Sequence, residues 1–306
     1  LKSPLLKYRL VQPKKAFTLR EAPHPVFLTG ITADPYAGCR FGCPYCYAVR
    51  DEGDAGPPPE AAVKTNIVSQ LKKKIEELLR LQKGTLHRHS IMIGGLTDPY
   101  QDAEKEMMVT KHLIEVISEA GFPFQLFTKS DGVLRDADLI ARHSAKGLAA
   151  VNVTVFSLDE MLWRTFEGGA PSPEERLSII TALKKKGVLC GVVLMPVFPY
   201  VNDGERELDR IFSAAKRAGA EYVIPGCYRP LSPRSAARVS KIIKEKFSGI
   251  ADRFESVYAG GTAAGAGYVS ELSERIRAIA KKYELPLNIP APGAKDAIEL
   301  NIDPVA

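Results

Sequence analysis

At 306 residues, 45% hydrophobic and 25% charged, the chain has the composition of a soluble globular protein, long enough for one large domain or two ordinary ones. No apolar run approaches the roughly 18 to 20 residues needed to cross a bilayer, and Leu1–Leu10 lacks the uninterrupted apolar stretch of an export signal, so a cytoplasmic monomer without membrane contact is expected. The net charge of +6 would assist binding to a polyanion without establishing it, because the dense basic runs Lys72–Lys74 and Lys184–Lys186 fall in helical patterns and read as solvated helix faces.

Residues 1–25 hold Pro4, Pro13, Pro23 and Pro25 and no sustained periodicity, the pattern of an irregular N-terminal extension. From there short apolar runs alternate with amphipathic segments, as in successive strand–helix units. Val26–Thr32 is the first expected strand and leads directly into a cysteine-rich loop. Asp51–Pro59 is a Gly/Pro-rich loop, and Pro57–Pro59 fits the start of a helix over Glu60–Gln82, with Ile67, Leu71, Ile75 and Leu78 on one face. Ser90–Ile93 is a second strand closed by Gly94–Gly95, followed by a helix over Ala103–Ala120. Phe122–Thr128, Ala149–Val155, Val188–Val197 and Ala220–Pro225 supply four more strands. Helices are expected near Arg135–His143, Pro173–Lys186 and Glu205–Ala218, and two more over Arg234–Phe247 and Tyr268–Tyr283.

Six such units are too few for a closed eight-stranded barrel. The fold class is therefore α/β, an open partial (βα)6 barrel of TIM type with parallel strands over residues 26–230. A short N-terminal extension (1–25) and a C-terminal helical extension (231–306) flank it. In such a barrel the ligand site lies at the carboxyl ends of the strands, so polar residues just after each strand are the functional candidates.

Five cysteines are present, and three of them, Cys39, Cys43 and Cys46, fall within eight residues in the spacing C-x3-C-x2-C. Thiolates are the usual ligands of iron–sulfur clusters, and a [4Fe–4S] cube needs four. Three close cysteines leave one iron for a cofactor or substrate to chelate. Gly38 and Gly42 let the backbone wrap closely around such a cube. A zinc site competes with this reading, but it wants four ligands, and His24, His87 and His89 are not at a finger-like spacing. Cys190 falls within a strand run and reads as core. Cys227, just past the sixth expected strand, is either an inert buried thiol or an active-face residue that donates hydrogen or binds substrate.

The triplet followed by an aromatic residue, Cys39-Arg40-Phe41-Gly42-Cys43-Pro44-Tyr45-Cys46-Tyr47, is similar to the signature of the radical S-adenosylmethionine superfamily. A narrower resemblance to the spore photoproduct lyase-like group runs from about Asp34 to Asp203. It is carried by Asp34-Pro35-Tyr36-Ala37-Gly38, Val63-Lys64-Thr65-Asn66, Thr97-Asp98-Pro99-Tyr100-Gln101, Thr128-Lys129-Ser130 and Leu134-Arg135-Asp136. The resemblance implies a [4Fe–4S] cluster whose open iron binds S-adenosyl-L-methionine. An electron from a donor such as flavodoxin or ferredoxin then cleaves the cofactor to a 5′-deoxyadenosyl radical, which abstracts hydrogen from a substrate.

The resemblance further implies roles for individual residues. Gly94 and Gly95 approach the methionine amino group, where a backbone carbonyl or Asp98 serves in place of the glutamate often found there. Lys129 contacts the carboxylate of the cofactor, and Thr154 and Ser157 bond its nucleoside or carboxylate. Tyr45 and Tyr47 match tyrosines implicated in radical transfer, or pack beneath the loop. The group's hydrogen-donating cysteine corresponds to Gly95 here, which argues against importing its substrate, DNA. The substrate stays undefined, with nucleic acid, peptide and small metabolite all open, and a DNA photoproduct lyase-like repair enzyme and a non-catalytic iron–sulfur or zinc protein that binds nucleic acid are the alternatives.

Overall fold

The computed structural model describes residues 8–20, 26–27, 29–46, 61–81, 90–230 and 232–290. Although residues 1–25 lack periodicity, two short strands form there, β1 (Leu10–Val11) and β2 (Thr18–Leu19). The chain continues through β3 (Thr29–Ala33), β4 (Tyr36–Ala37), β5 (Ala62–Lys64) and α1 (Ile67–Leu81). Thus Ala62–Lys64, expected inside a helix, is instead a strand, paired in parallel with β1 and antiparallel with β4. Tertiary pairing overrides local pattern at so short a segment. The expected loop Asp51–Pro59 and helix start at Pro57–Pro59 lie outside the described residues.

Next come β6 (Ser90–Ile93), α2 (Asp102–Met107), α3 (Val109–Glu119), β7 (Phe124–Thr128), a 3-10 turn over Asp131–Asp136, α4 (Ala137–Ser144) and β8 (Ala149–Thr154). The single helix expected over Ala103–Ala120 is broken at Met108, which adopts φ +48°. The break has a local cause: the Glu104 carboxylate accepts the Thr110 N–H at 2.8 Å and the Lys111 N–H at 3.3 Å, capping a fresh helix start. The apolar period runs through both pieces, which hides the break from pattern reading.

The chain closes with α5 (Glu160–Glu167), α6 (Pro173–Lys185), β9 (Leu189–Val197), α7 (Glu205–Ala218), β10 (Val223–Cys227), α8 (Pro233–Lys246), α9 (Ala251–Val257) and α10 (Ala266–Tyr283). Helices α5 and α9 are too short for periodicity to reveal. Helix α6 begins with a full capping box, Ser172 with Glu175, and with Pro173 in its first turn.

Seven strands form the main sheet in the order β10-β9-β8-β7-β6-β3-β2. Six of them are parallel, and β2 runs antiparallel to β3 at one edge. The expected α/β architecture with an open, partial barrel is thus present. Strands covered on both faces read as continuous apolar runs, and Val151, Val153, Val192 and Leu194 are indeed fully buried in the core. At the far edge the Val223 N–H donates to the Pro286 carbonyl at 2.9 Å, so the segment after α10 covers β10. No helix among the described residues is long and apolar enough to cross a membrane.

Candidate active site

Strand β3 delivers the chain to the cysteine loop, and the loop is held by residues that follow β6. Asp34 accepts the Leu96 N–H at 2.8 Å and the Thr97 N–H at 3.2 Å. Thr97 donates its hydroxyl to the Tyr36 carbonyl at 3.0 Å. Gln101 donates to the Gly38 carbonyl at 3.1 Å and accepts the Arg40 N–H at 2.9 Å. From the other side, Arg238 on α8 donates to the carbonyls of Pro44 and Cys46 at 3.1 and 3.2 Å. Gly38 and Gly42 sit at φ +83° and +63°, left-handed conformations that side chains rarely adopt. The motifs spread along the sequence therefore meet as one scaffold around Cys39–Cys46.

Cys39, Cys43 and Cys46 line a single cavity of about 330 Å³ together with Gly94, Gly95, Asp98, Thr128, Lys129, Thr154 and Cys227. These come from the carboxyl ends of β3, β6, β7, β8 and β10, the end expected to carry ligands. Burial pushes the Cys39 thiol up to about 11 and the Cys43 thiol to about 12, because an isolated thiolate is poorly solvated there. Among the described residues, no three His, Cys, Asp or Glu side chains converge on a point that would hold one metal ion. A cube that takes one thiolate per iron asks for no such convergence.

The other expected residues divide. Gly94 has φ +83°, and a Cβ there would overlap the Phe127 carbonyl and Pro99; at Gly95 it would overlap Met92 and Thr32. Asp98 lines the cavity, yet its carboxylate is already engaged by the Tyr100 N–H (2.9 Å), the Thr128 hydroxyl (2.9 Å) and the Lys129 N–H (2.7 Å). It fixes the loops after β6 and β7 to each other. Ser157 is fully buried outside the cavity lining. Its hydroxyl donates to Glu207 at 2.7 Å and accepts the Asp159 N–H at 2.9 Å, forming a local turn and anchor. Tyr47 lies outside the described residues.

Tyr45 is partly buried and also lines the cavity, with its ring 5.9 Å from that of Phe198 and 6.4 Å from that of Phe156. Its hydroxyl donates to Glu167, and burial raises its pKa well above the ordinary tyrosine value. Tyr45 thus packs through its ring and is anchored through its hydroxyl. Cys227 is half-buried, with its sulfur 4.0 Å from the Tyr258 hydroxyl, and Tyr258 donates to the Tyr228 carbonyl at 2.8 Å. Burial pushes the Cys227 thiol up to about 11. A second cavity of about 450 Å³, bounded by Arg277 and the start of α10, shares Cys227, Tyr228 and Arg229 with the first.

Sequence reading missed Glu167 and did not assign Arg176 to the site. Glu167 accepts from Tyr45 and Arg176, and lies 3.6 Å from the Lys129 ammonium. Burial works to lower the Lys129 pKa, but Glu167 and the other anionic groups nearby outweigh it and the net shift is upward. A signal was available: Glu167 ends a helix, where the dipole disfavours an acid, so tertiary partners must hold it.

Residues 34–211 match the model of the Radical SAM superfamily. An uncharacterised protein of Mycobacterium tuberculosis is 29% identical over 263 residues, covering 83% of this chain and 74% of its own length. The radical SAM Nα-GlyT isomerase of Pseudomonas phage M6 is 22% identical over 205 residues, covering 65% of this chain and 40% of its own. Spore photoproduct lyase complexed with a dinucleoside spore photoproduct has a similar fold, with TM-score 0.64 and 18% identity, covering 90% of this chain and 78% of that one. With a family match over more than half of its length, the chain belongs to the Radical SAM superfamily and is a radical S-adenosylmethionine enzyme.

Proposed function

We propose that Cys39, Cys43 and Cys46 hold a [4Fe–4S] cluster and that S-adenosylmethionine binds beside it in the cavity at the strand ends. The observation that carries this reading is the shared cavity: three thiols at C-x3-C-x2-C spacing line it with Gly94, Gly95, Lys129 and Thr154 from three other strand ends. When bound, the cluster supplies the electron that cleaves S-adenosylmethionine reductively, and the resulting 5′-deoxyadenosyl radical takes a hydrogen atom from the substrate.

The chain's own residues bind, orient and exclude water. Lys129 is the cation available to the carboxylate of the cofactor, a point charge on a flexible stem. The backbone at Gly94–Gly95 approaches the methionine end, where a side chain would collide. Thr154 lines the same wall. Tyr45 braces the loop from beneath through Glu167. A one-electron reductant such as flavodoxin or ferredoxin is required as partner.

Cys227 is the thiol outside the cluster set that lines this cavity among the described residues, and it opens onto the second cavity. It is the residue placed to return a hydrogen atom to a substrate radical. Gly95, which stands where the lyase-like group has its donor, is crowded by the Met92 and Thr32 side chains. The substrate therefore need not be a DNA photoproduct, although nucleic acid is one class to test, because the spore photoproduct lyase of similar fold is complexed with a dinucleoside.

The reading is tested on anaerobically purified protein reconstituted with iron and sulfide. Four irons per chain, and release of 5′-deoxyadenosine from S-adenosylmethionine under dithionite, are the expected results. One zinc per chain with no iron, or a reduced cluster that never cleaves the cofactor, would sink it.

A further inference from the structure

Glu167 joins groups from four elements at the floor of the site. Its side chain is fully buried at the end of α5, as is that of Arg176 in the first turns of α6. One carboxylate oxygen accepts the Tyr45 hydroxyl and faces the Lys129 ammonium at 3.6 Å; the other accepts from Arg176. Arg176 also donates to the carbonyls of Pro171 at 2.7 Å and Thr154 at 3.1 Å, so it ties the α5–α6 connection to the end of β8. That connection presses on the cysteine loop directly, because a Cβ on Gly169 would overlap the Phe41 carbonyl.

Lys129 and Arg176 bring two positive charges, and Glu167 one negative charge, to a largely buried floor that touches the cysteine loop through Tyr45 and Gly169. Charges that are little screened act strongly on one another and on whatever the loop carries. Three thiolates make the assembly on the loop anionic, and reduction makes it more so. The balance of the two cations against the one carboxylate is thus a control on how readily it accepts an electron.

We propose that Glu167 is a positioning residue that, by pairing Lys129 and Arg176 beneath the cysteine loop, sets the reduction potential of the group held there; this rests on the cluster reading above. Neutralising Glu167 leaves the cations less compensated and favours the reduced state. Neutralising Lys129 leaves the carboxylate less compensated and disfavours it. A bracing role alone predicts no such opposition of sign.

The test is an electron-paramagnetic-resonance redox titration of the reconstituted protein without S-adenosylmethionine or substrate, comparing wild type, Glu167→Gln, Lys129→Met and the double variant. Glutamine keeps the size of the side chain and an acceptor for Tyr45. The expected result is an upward shift for Glu167→Gln and a downward shift for Lys129→Met. Each is about tenfold in the reduced-to-oxidised ratio at fixed potential, ~59 mV for one electron, with the double variant returned towards wild type. Should Glu167→Gln fail to fold, Lys129→Met decides alone, a downward shift supporting the inference and an unmoved potential overturning it. Unmoved potentials, or shifts of one sign in both single variants, overturn the inference while the cluster reading stands. Wild-type protein that takes up no iron overturns both.

Discussion

The carboxylate of Asp98 accepts the backbone N–H of Lys129 at 2.7 Å, joining the loop after β6 to the loop after β7. The same carboxylate accepts from Tyr100 and Thr128, all within a buried site. Asp98→Ala would leave these donors without partners, at a cost of about 2–4 kcal/mol, and would release the segment that presents the Lys129 ammonium. The expected outcome is a lower urea midpoint together with at least tenfold weaker S-adenosylmethionine binding by calorimetry. Asp98→Asn, which keeps one acceptor oxygen, should lose less of both.

The three loop cysteines and Cys190 make a sharp contrast. Cys39→Ala, Cys43→Ala or Cys46→Ala should each abolish the iron-dependent absorbance of the reconstituted protein. Cys190 is fully buried in β9, with its thiol 3.7 Å from the Ile180 carbonyl. Cys190→Ala should therefore retain iron at the wild-type ratio while losing about 1–2 kcal/mol of stability to the cavity it leaves.

Adjacent glycines at the end of β6 are not equivalent. Gly94 combines φ +83° with backbone in the way, whereas the obstacles at Gly95 are the Met92 and Thr32 side chains. Gly94→Ala should cost about 2–3 kcal/mol and Gly95→Ala about 1 kcal/mol, since a flexible methionine can move and a carbonyl cannot. Met92→Ala should recover part of the loss in Gly95→Ala and none of that in Gly94→Ala. Thermal melts of the two pairs check this.

His143 makes a pH-dependent contribution to stability. It is buried, with Nε2 2.7 Å from the Phe122 carbonyl and its ring stacked 5.4 Å from that of Phe124. Burial lowers its pKa below the ordinary value near 6.5. The unfolded chain then binds the proton more readily, so stability falls as pH drops below about 6.5 and levels off once the folded-state pKa is passed. Melting temperature measured from pH 8 to 5 should decline through this window, and His143→Gln, which keeps a donor for Phe122, should flatten the decline.

Much of the scaffold was legible because strand and helix periods reflect burial directly. Ser90–Ile93, Glu205–Ala218 and Leu189–Val197 appear where apolar runs place them. Misreadings occur where a tertiary partner decides. Ala62–Lys64 is a strand because β1 and β4 lie on either side of it, and the helix over Ala103–Ala120 breaks because Glu104 folds back to cap it. Ser157 follows a strand as expected, and the partner of its hydroxyl, Glu207, lies fifty residues on, where no local pattern shows it.

The sequence by itself determined that three thiols and two glycines fall together in one loop, since C-x3-C-x2-C is a local feature. It also determined the parallel α/β class, because doubly covered strands must be apolar throughout. Only the tertiary structure decided which polar groups face the cavity and which are consumed beneath it. Asp98 and Ser157 turn to internal donors and acceptors, while Glu167 and Arg176, unremarkable in sequence, meet Lys129 and Tyr45. The reason is physical: a buried charge must find its partner wherever the fold brings one, and that pairing leaves no periodic trace along the chain.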